Sequence, residues 1–247
     1  MADSTAEAVD LFKRTEPGVM NLKERMIKYA WIFLLIVFSG ACGQEPPSSD
    51  LPSEDTRKKG TIVAMGNSLT EGLGVPEEMA YPAQLEEALR ARGLSYRVVN
   101  AGISGETSSG ARSRLEWVLS MEPDIIILET GANDGMRGLA PGLIRENIQY
   151  MINEIIARDV VVILAGMKIM PNLGPAYAAA FADLYSTIAA ENNLIFMPFL
   201  LDGVAGEPAL NHFDGIHPTA EGYKKIVENM VPYVLKAIER RNTSDGR

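Results

Sequence analysis

The sequence predicts an α/β fold: a three-layer α/β/α sandwich on a five-stranded parallel sheet. Two observations carry that expectation. From Gly60 onward short β-branched runs alternate with longer amphipathic segments, the mark of strand–helix–strand units. Within the central runs, residues 125–128 and 160–164, apolar side chains stand at consecutive positions, as in strands covered by helices on both faces. At 247 residues, 47% hydrophobic and with 22 glycines, the chain has room for one such domain and a short extra segment.

Strands are expected over residues 61–65, 96–100, 124–129, 160–165 and 194–197, each a short run bounded by polar or glycine-bearing stretches. Helices are expected over 81–92, 108–120, 141–158, 175–191 and 220–240. Pro141 and Pro175 stand in first-turn positions, where a missing N–H costs nothing. Gly93 follows the first helix as a C-terminal stop. The domain is thus expected over 60–240, with a polar tail at 241–247.

The segment before the domain has a different character. Residues 43–59 are rich in Pro, Ser, Glu and Asp and carry too little apolar surface to order themselves, so they are expected to be a disordered tether. Residues 1–42 end in the layout of a secretory signal: Lys23, Arg25 and Lys28, the apolar run 29–38, then Ser39, Gly40 and Ala41. Cys42, the single cysteine, follows directly. That arrangement resembles the lipobox of bacterial lipoproteins, with Ser39 departing from its usual branched aliphatic residue. It implies lipidation at Cys42; simple secretion and an uncleaved N-terminal anchor are the alternatives, and all three place the domain outside the cytoplasm, in a bacterial cell envelope. The polar stretch 1–20 fits poorly before a signal, and a start at Met20 or Met26 fits better.

Composition excludes several functions. The net charge of −9, with no basic stripe, argues against nucleic-acid partners, which require a surplus of Lys and Arg on one face. A lone cysteine forms neither an intrachain disulfide nor a cysteine metal site.

In an open parallel sheet, ligands gather beyond the carboxyl ends of the strands. The stretches there are Gly66-Asn67-Ser68-Leu69-Thr70, residues 100–107, residues 129–135, and Asp214-Gly215-Ile216-His217-Pro218 before the last helix. Only two histidines occur, His212 and His217. Asp214 precedes His217 by three residues, so one tight turn brings its carboxylate to the ring Nδ1–H, fixes the tautomer and leaves Nε2 to accept a proton. Ser68 leaves an apolar strand at a turn into a helix, which points its hydroxyl and its N–H into the crevice; paired with a base, that hydroxyl is a nucleophile. Thr70 stands where a G-x-S-x-G elbow would have its second glycine, so that motif is absent. A metal held by His212, Asp214 and His217 would consume the one available base, and no metal or cofactor is expected. His212 is expected at the rim.

Taken together, the Gly66 to Thr70 motif, the Gly105 loop, Gly131-Ala132-Asn133-Asp134 and Asp214-Gly215-Ile216-His217-Pro218 resemble, in order and spacing, the four sequence blocks of SGNH (GDSL) hydrolases over about residues 60–236. The similarity is strongest to the branch of bacterial arylesterases and the multifunctional acyl-CoA thioesterase I, protease I and lysophospholipase. The resemblance implies a flavodoxin-like sheet, a serine esterase for small-molecule carboxylic esters, and a Ser68, His217, Asp214 triad. It also implies an oxyanion hole built from the Ser68 N–H, the Gly105 N–H and the Asn133 side chain. Gly102 rivals Gly105, and Ser104 is a rival hydroxyl with no base beside it. Asn67 departs from the family's aspartate, which implies altered loop stability rather than lost activity. Met136, Leu139, Met167, Ile169, Met170 and Leu173 are expected either to form an apolar acyl trough or to pack under the helices. A carbohydrate acetylesterase and a non-catalytic envelope ligand-binding module are the alternative functions.

Overall fold

The computed structural model describes residues 60–245. The expectations for residues 1–42, including lipidation at Cys42, and for the tether 43–59 lie outside the described residues. Five strands, β1 (Gly60–Gly66), β2 (Tyr96–Gly102), β3 (Ile125–Glu129), β4 (Val161–Ala165) and β5 (Ile195–Met197), form one parallel sheet in the order β2-β1-β3-β4-β5. Each strand falls within two residues of its expected ends. Register follows the apolar runs, with Ile62 opposite Ile125, Ile125 opposite Val161, and Ile163 opposite Ile195.

Eight α-helices are described: α1 (Ser68–Glu71), α2 (Tyr81–Arg90), α3 (Ser108–Ser113), α4 (Leu115–Leu119), α5 (Ala132–Met136), α6 (Pro141–Ile156), α7 (Pro175–Glu191) and α8 (Ala220–Asp245). Helix α2 packs on α8, which also crosses β3, β4 and β5, while α6 packs between α3 and α7. Right-handed crossovers require this division: the step from β1 to β2 runs opposite to the later steps, so its helix lies on the other face. The central strand is consequently sealed on both sides, and Ile125, Ile126, Ile127 and Leu128 have no exposed surface. Burying each side chain is worth about 1.5–3 kcal/mol.

Three features differ from the expected elements. The helix expected over 108–120 is broken at Arg114 (φ −106°, ψ 9°), because that side chain is drawn inward by an ion pair with Glu106. Helices α1 and α5, too short to show a periodic pattern, fall in stretches expected to be loops. Helix α8 runs on to Asp245, through residues expected to form the polar tail. Arg241 is tied there to Asp124 at 3.2 Å and Asp159 at 3.1 Å, and such tertiary pairing leaves no trace in local composition.

Strand order reverses between β1 and β3, the place where a crevice opens in this topology. Ser68 follows β1 there and Asn133 follows β3.

Candidate active site

The turn at 211–218 is built by the backbone. His212 N–H donates to the His217 carbonyl at 2.8 Å and Gly215 N–H to the His212 carbonyl at 2.9 Å, with Gly215 in the left-handed region at φ +68°. Asn211 and Pro218 form an antiparallel bridge at its base, and the Asn211 amide donates to the carbonyls of Val204 and Glu207. His212 therefore shapes the site through its main chain.

At the tip, Asp214 Oδ1 accepts from the N–H groups of Ile216 (2.9 Å) and His217 (3.0 Å), and its Oδ2 lies 2.6 Å from His217 Nδ1. The His217 N–H, the His217 ring and the Ile216 N–H hold this carboxyl well below the usual carboxylate range. An ionised Asp214 can only accept, so the neutral imidazole carries its proton on Nδ1 and turns the Nε2 lone pair outward. That lone pair is 2.9 Å from Ser68 Oγ. Carboxylate, imidazole and hydroxyl thus stand in line, and a proton can pass from oxygen to nitrogen.

Ser68 opens α1, whose N-cap is Asn67. The Asn67 Oδ1 accepts from Leu69 N–H at 2.9 Å, and its carbonyl accepts from Glu71 N–H at 2.9 Å. Beneath it lies Glu129, the last residue of β3, fully buried and hydrogen-bonded to Asn67 and Thr70. Burial pushes the Glu129 carboxyl up to about 7, against the opposing pull of those hydrogen bonds.

The loop after β2 is clamped from below. Arg114 holds Glu106 with two hydrogen bonds of 2.6 Å and reaches the carbonyls of Ala101 (2.8 Å) and Gly66 (3.3 Å), while the Trp117 ring lies 6.0 Å from its guanidinium. Gly105 occupies the left-handed region at φ +75°, and its carbonyl accepts from Arg137. The Gly102 N–H is spent on Asn100 Oδ1 at 3.0 Å, and Ser104 Oγ is paired with the Glu71 carboxylate. The Asn133 amide donates one proton to the Glu106 carbonyl at 2.9 Å, which fixes its plane and leaves a second N–H. Gly131, just before it, must be glycine: φ is +99°, and a Cβ there would meet the Tyr185 hydroxyl at 2.5 Å.

A crevice of about 360 Å³ opens beside Ser68 and Asn133. Of the six residues expected to line it, Met136, Met167, Ile169 and Met170 do so. Leu139 and Leu173 do not: the Leu139 carbonyl is turned to the Tyr177 hydroxyl at 2.5 Å, and Leu173 lies over Gly138. Phe199, Leu201 and Ile216 complete the apolar wall. Among the described residues no group of three His, Cys, Asp or Glu side chains could hold a metal ion.

Glu129 and Arg114 are the site residues that sequence reasoning did not single out. Glu129 left one signal, a lone carboxylate closing an otherwise apolar strand. Arg114 left none, since an arginine in an amphipathic helix ordinarily faces water.

Residues 64–225 match the GDSL-like Lipase/Acylhydrolase family. The chain belongs to this family. The esterase TesA of Pseudomonas aeruginosa is 38% identical over 173 residues, which cover 70% of this chain and 86% of that protein. The arylesterase of Vibrio mimicus is 34% identical over 176 residues, covering 71% and 88% respectively. The crystal structure of the esterase EstA from Pseudoalteromonas, inhibited by monoethylphosphonate, superposes with a TM-score of 0.70 at 30% identity, covering 73% of this chain and 99% of EstA. The resemblance carried by the motif blocks is therefore borne out, as is the five-stranded flavodoxin-like sheet. Membership of the GDSL-like family makes the chain a carboxylic ester hydrolase.

Proposed function

We propose that this ester hydrolase works by two-step acyl transfer, with Ser68 as nucleophile, His217 as general base and acid, and Asp214 as the carboxylate that orients it. The observation that carries this reading is the unbroken line from Ser68 Oγ to His217 Nε2 (2.9 Å) and from His217 Nδ1 to Asp214 (2.6 Å). Ser68 Oγ attacks the ester carbonyl carbon as its proton moves to Nε2. The carbonyl oxygen becomes an oxyanion facing the Ser68 N–H, the Gly105 N–H and the free Asn133 N–H. Collapse breaks the bond to the leaving alcohol, which takes the proton from His217. Water then attacks the acyl-enzyme, gives its proton to His217, and Ser68 departs with that proton restored.

The wall of Met136, Met167, Met170, Phe199 and Ile216 supports aryl or short-to-medium acyl esters as substrates, because an apolar chain gains by leaving water there. A fluorophosphonate is expected to add its mass to the peptide containing Ser68 and to abolish p-nitrophenyl ester hydrolysis in step. Activity that survives stoichiometric labelling elsewhere, with Ser68 unmodified, would reject the assignment. A p-nitrophenyl series is expected to peak at a chain longer than acetate; a maximum at acetate would point to an acetylesterase instead.

Asn133→Ala removes one of the three oxyanion donors and is expected to lower kcat about 100- to 1000-fold with little change in KM. Steady-state kinetics on the same ester check this, and an unchanged kcat would take Asn133 out of the oxyanion hole.

A further inference from the structure

Gly166 joins two loops that wall the crevice. Its N–H donates to the Met197 carbonyl at 2.8 Å, and its own carbonyl accepts from Leu200 N–H at 3.0 Å. A Cβ at 166 would meet the Pro198 carbonyl oxygen at 2.5 Å, so the chain beyond β4 and the chain beyond β5 approach this closely only through a glycine. Two residues further on stands Lys168. The junction sets its ammonium 4.8 Å from the centre of the Phe199 ring, within reach of a cation–π interaction.

Charge is unevenly placed along this wall. In a chain of net charge −9, the crevice is lined by no aspartate or glutamate, and Lys168 is its one cation. Among the described residues the ammonium makes no ion pair and no hydrogen bond; its one partner is the Phe199 ring. The side-chain amide of Asn172, on the same wall, has no hydrogen-bond partner either. Arg137, which follows Met136, instead spends its guanidinium on the Gly105 carbonyl at 3.1 Å. The Asp214 carboxylate is taken up by His217 and the Ile216 N–H. A cation steadied on an aromatic face, in a wall otherwise neutral, can gain a charged partner here only from the substrate.

We propose that the protein selects esters whose acyl chain ends in a second, ionised carboxylate, and that Lys168 makes the selection. The methylenes of such a chain lie against Met136, Met167 and Met170, and its terminal carboxylate meets the Lys168 ammonium and the Asn172 amide. Both side chains are exposed, so the carboxylate keeps part of its hydration and escapes the cost of full burial. Hydrolysis consumes one water and releases the alcohol and a free dicarboxylate. The inference rests on Ser68 being the nucleophile and on the Met-lined wall holding the acyl arm.

Three p-nitrophenyl esters of matched chain length test it: the suberate half-ester, octanoate, and the octanoate ending in trimethylammonium. The leaving group is the same in all three, so only the charge at the far end of the acyl arm changes. The readout is the ratio of kcat/KM for the anionic ester to that for the cationic one, which cancels any general loss of activity. Lys168→Met keeps the apolar stem over Phe199 and removes the charge. It is expected to lower the ratio about tenfold, since an exposed charge contributes a few-fold to each of the two opposite substrates. Lys168→Glu is expected to lower it further and to reverse the preference. In wild type the ratio should fall as salt rises from about 0.01 to 1 M, where the screening length shrinks from about 30 Å to about 3 Å.

Lys236→Met, an exposed position on α8, makes the same change in net charge and is expected to leave the ratio within about twofold. A ratio that moves less than twofold in Lys168→Met, or that moves as far in Lys236→Met, would overturn the proposal. Should Lys168→Glu fail to fold, Lys168→Met decides alone. Octanoate hydrolysed through Ser68 with no charge discrimination sinks this inference only; a wild type that hydrolyses none of the three sinks the Ser68 reading and this one with it.

Discussion

Replacing Ser68 by alanine is expected to lower kcat for an aryl ester by about 10⁶-fold while the thermal midpoint stays within a few degrees of wild type. The size follows from what is removed. Without Oγ there is no covalent intermediate, and the remaining rate comes from donors that still polarise the carbonyl for attack by water. The side chain is small and partly exposed, and its hydroxyl is bonded to the His217 ring at the surface of the crevice, so little stability goes with it. His217→Ala should fall to a similar level, and the double variant no further, because hydroxyl and imidazole act as one unit. Single-turnover assays at high enzyme concentration, with the fold checked by circular dichroism, provide the measurement. A loss below about 100-fold, or losses that multiply in the double, would mean that the two groups do not work on the same proton.

Asp214→Asn is expected to cost about 10⁴-fold in kcat, with substrate binding largely kept. The asparagine can present its NH2 to the ring, which then prefers the tautomer with its proton on Nε2 and cannot accept from Ser68. The carboxylate also stabilises the imidazolium formed on attack, and a neutral amide does so poorly. Its pH behaviour supplies a second check. Asp214 is depressed below its ordinary value near 3.8, so its contribution to stability is present above that pH and is lost as pH falls through the lower folded value. It is ionised throughout the neutral range, and an acid limb near neutrality reports another group. A wild-type limb that vanishes in Asp214→Asn with kcat preserved would contradict the assignment.

The legible part of this protein is what local patterning controls. Short apolar runs marked all five strands, most plainly β3, because a strand buried on both faces must be apolar at every position. Asp214 and His217 were visible because a three-residue spacing brings them together whatever the rest of the fold does. Ser68 and Asn133 needed the order of the blocks, since residues so far apart in the chain meet only through the sheet. Arg114 and Glu129 show what stays hidden. Each is a charged side chain turned inward to partners outside its own element, and neither periodicity nor composition reports a partner. The crevice was only partly legible: the apolar side chains of the Met136 and Met167 segments stand out after their strands, whereas Ile216 reaches the wall through the long loop before α8.

The ring beside the Arg114–Glu106 clamp gives the protein a built-in optical reporter. The chain has two tryptophans, and Trp117 is the one within the described residues, about half exposed and beside that guanidinium. A domain beginning at residue 60 therefore emits from a single indole, and any ligand that shifts the Gly105 loop disturbs the charge next to that fluorophore. Substrate-induced rearrangement of the loop can then be followed in unlabelled protein, on the timescale of mixing.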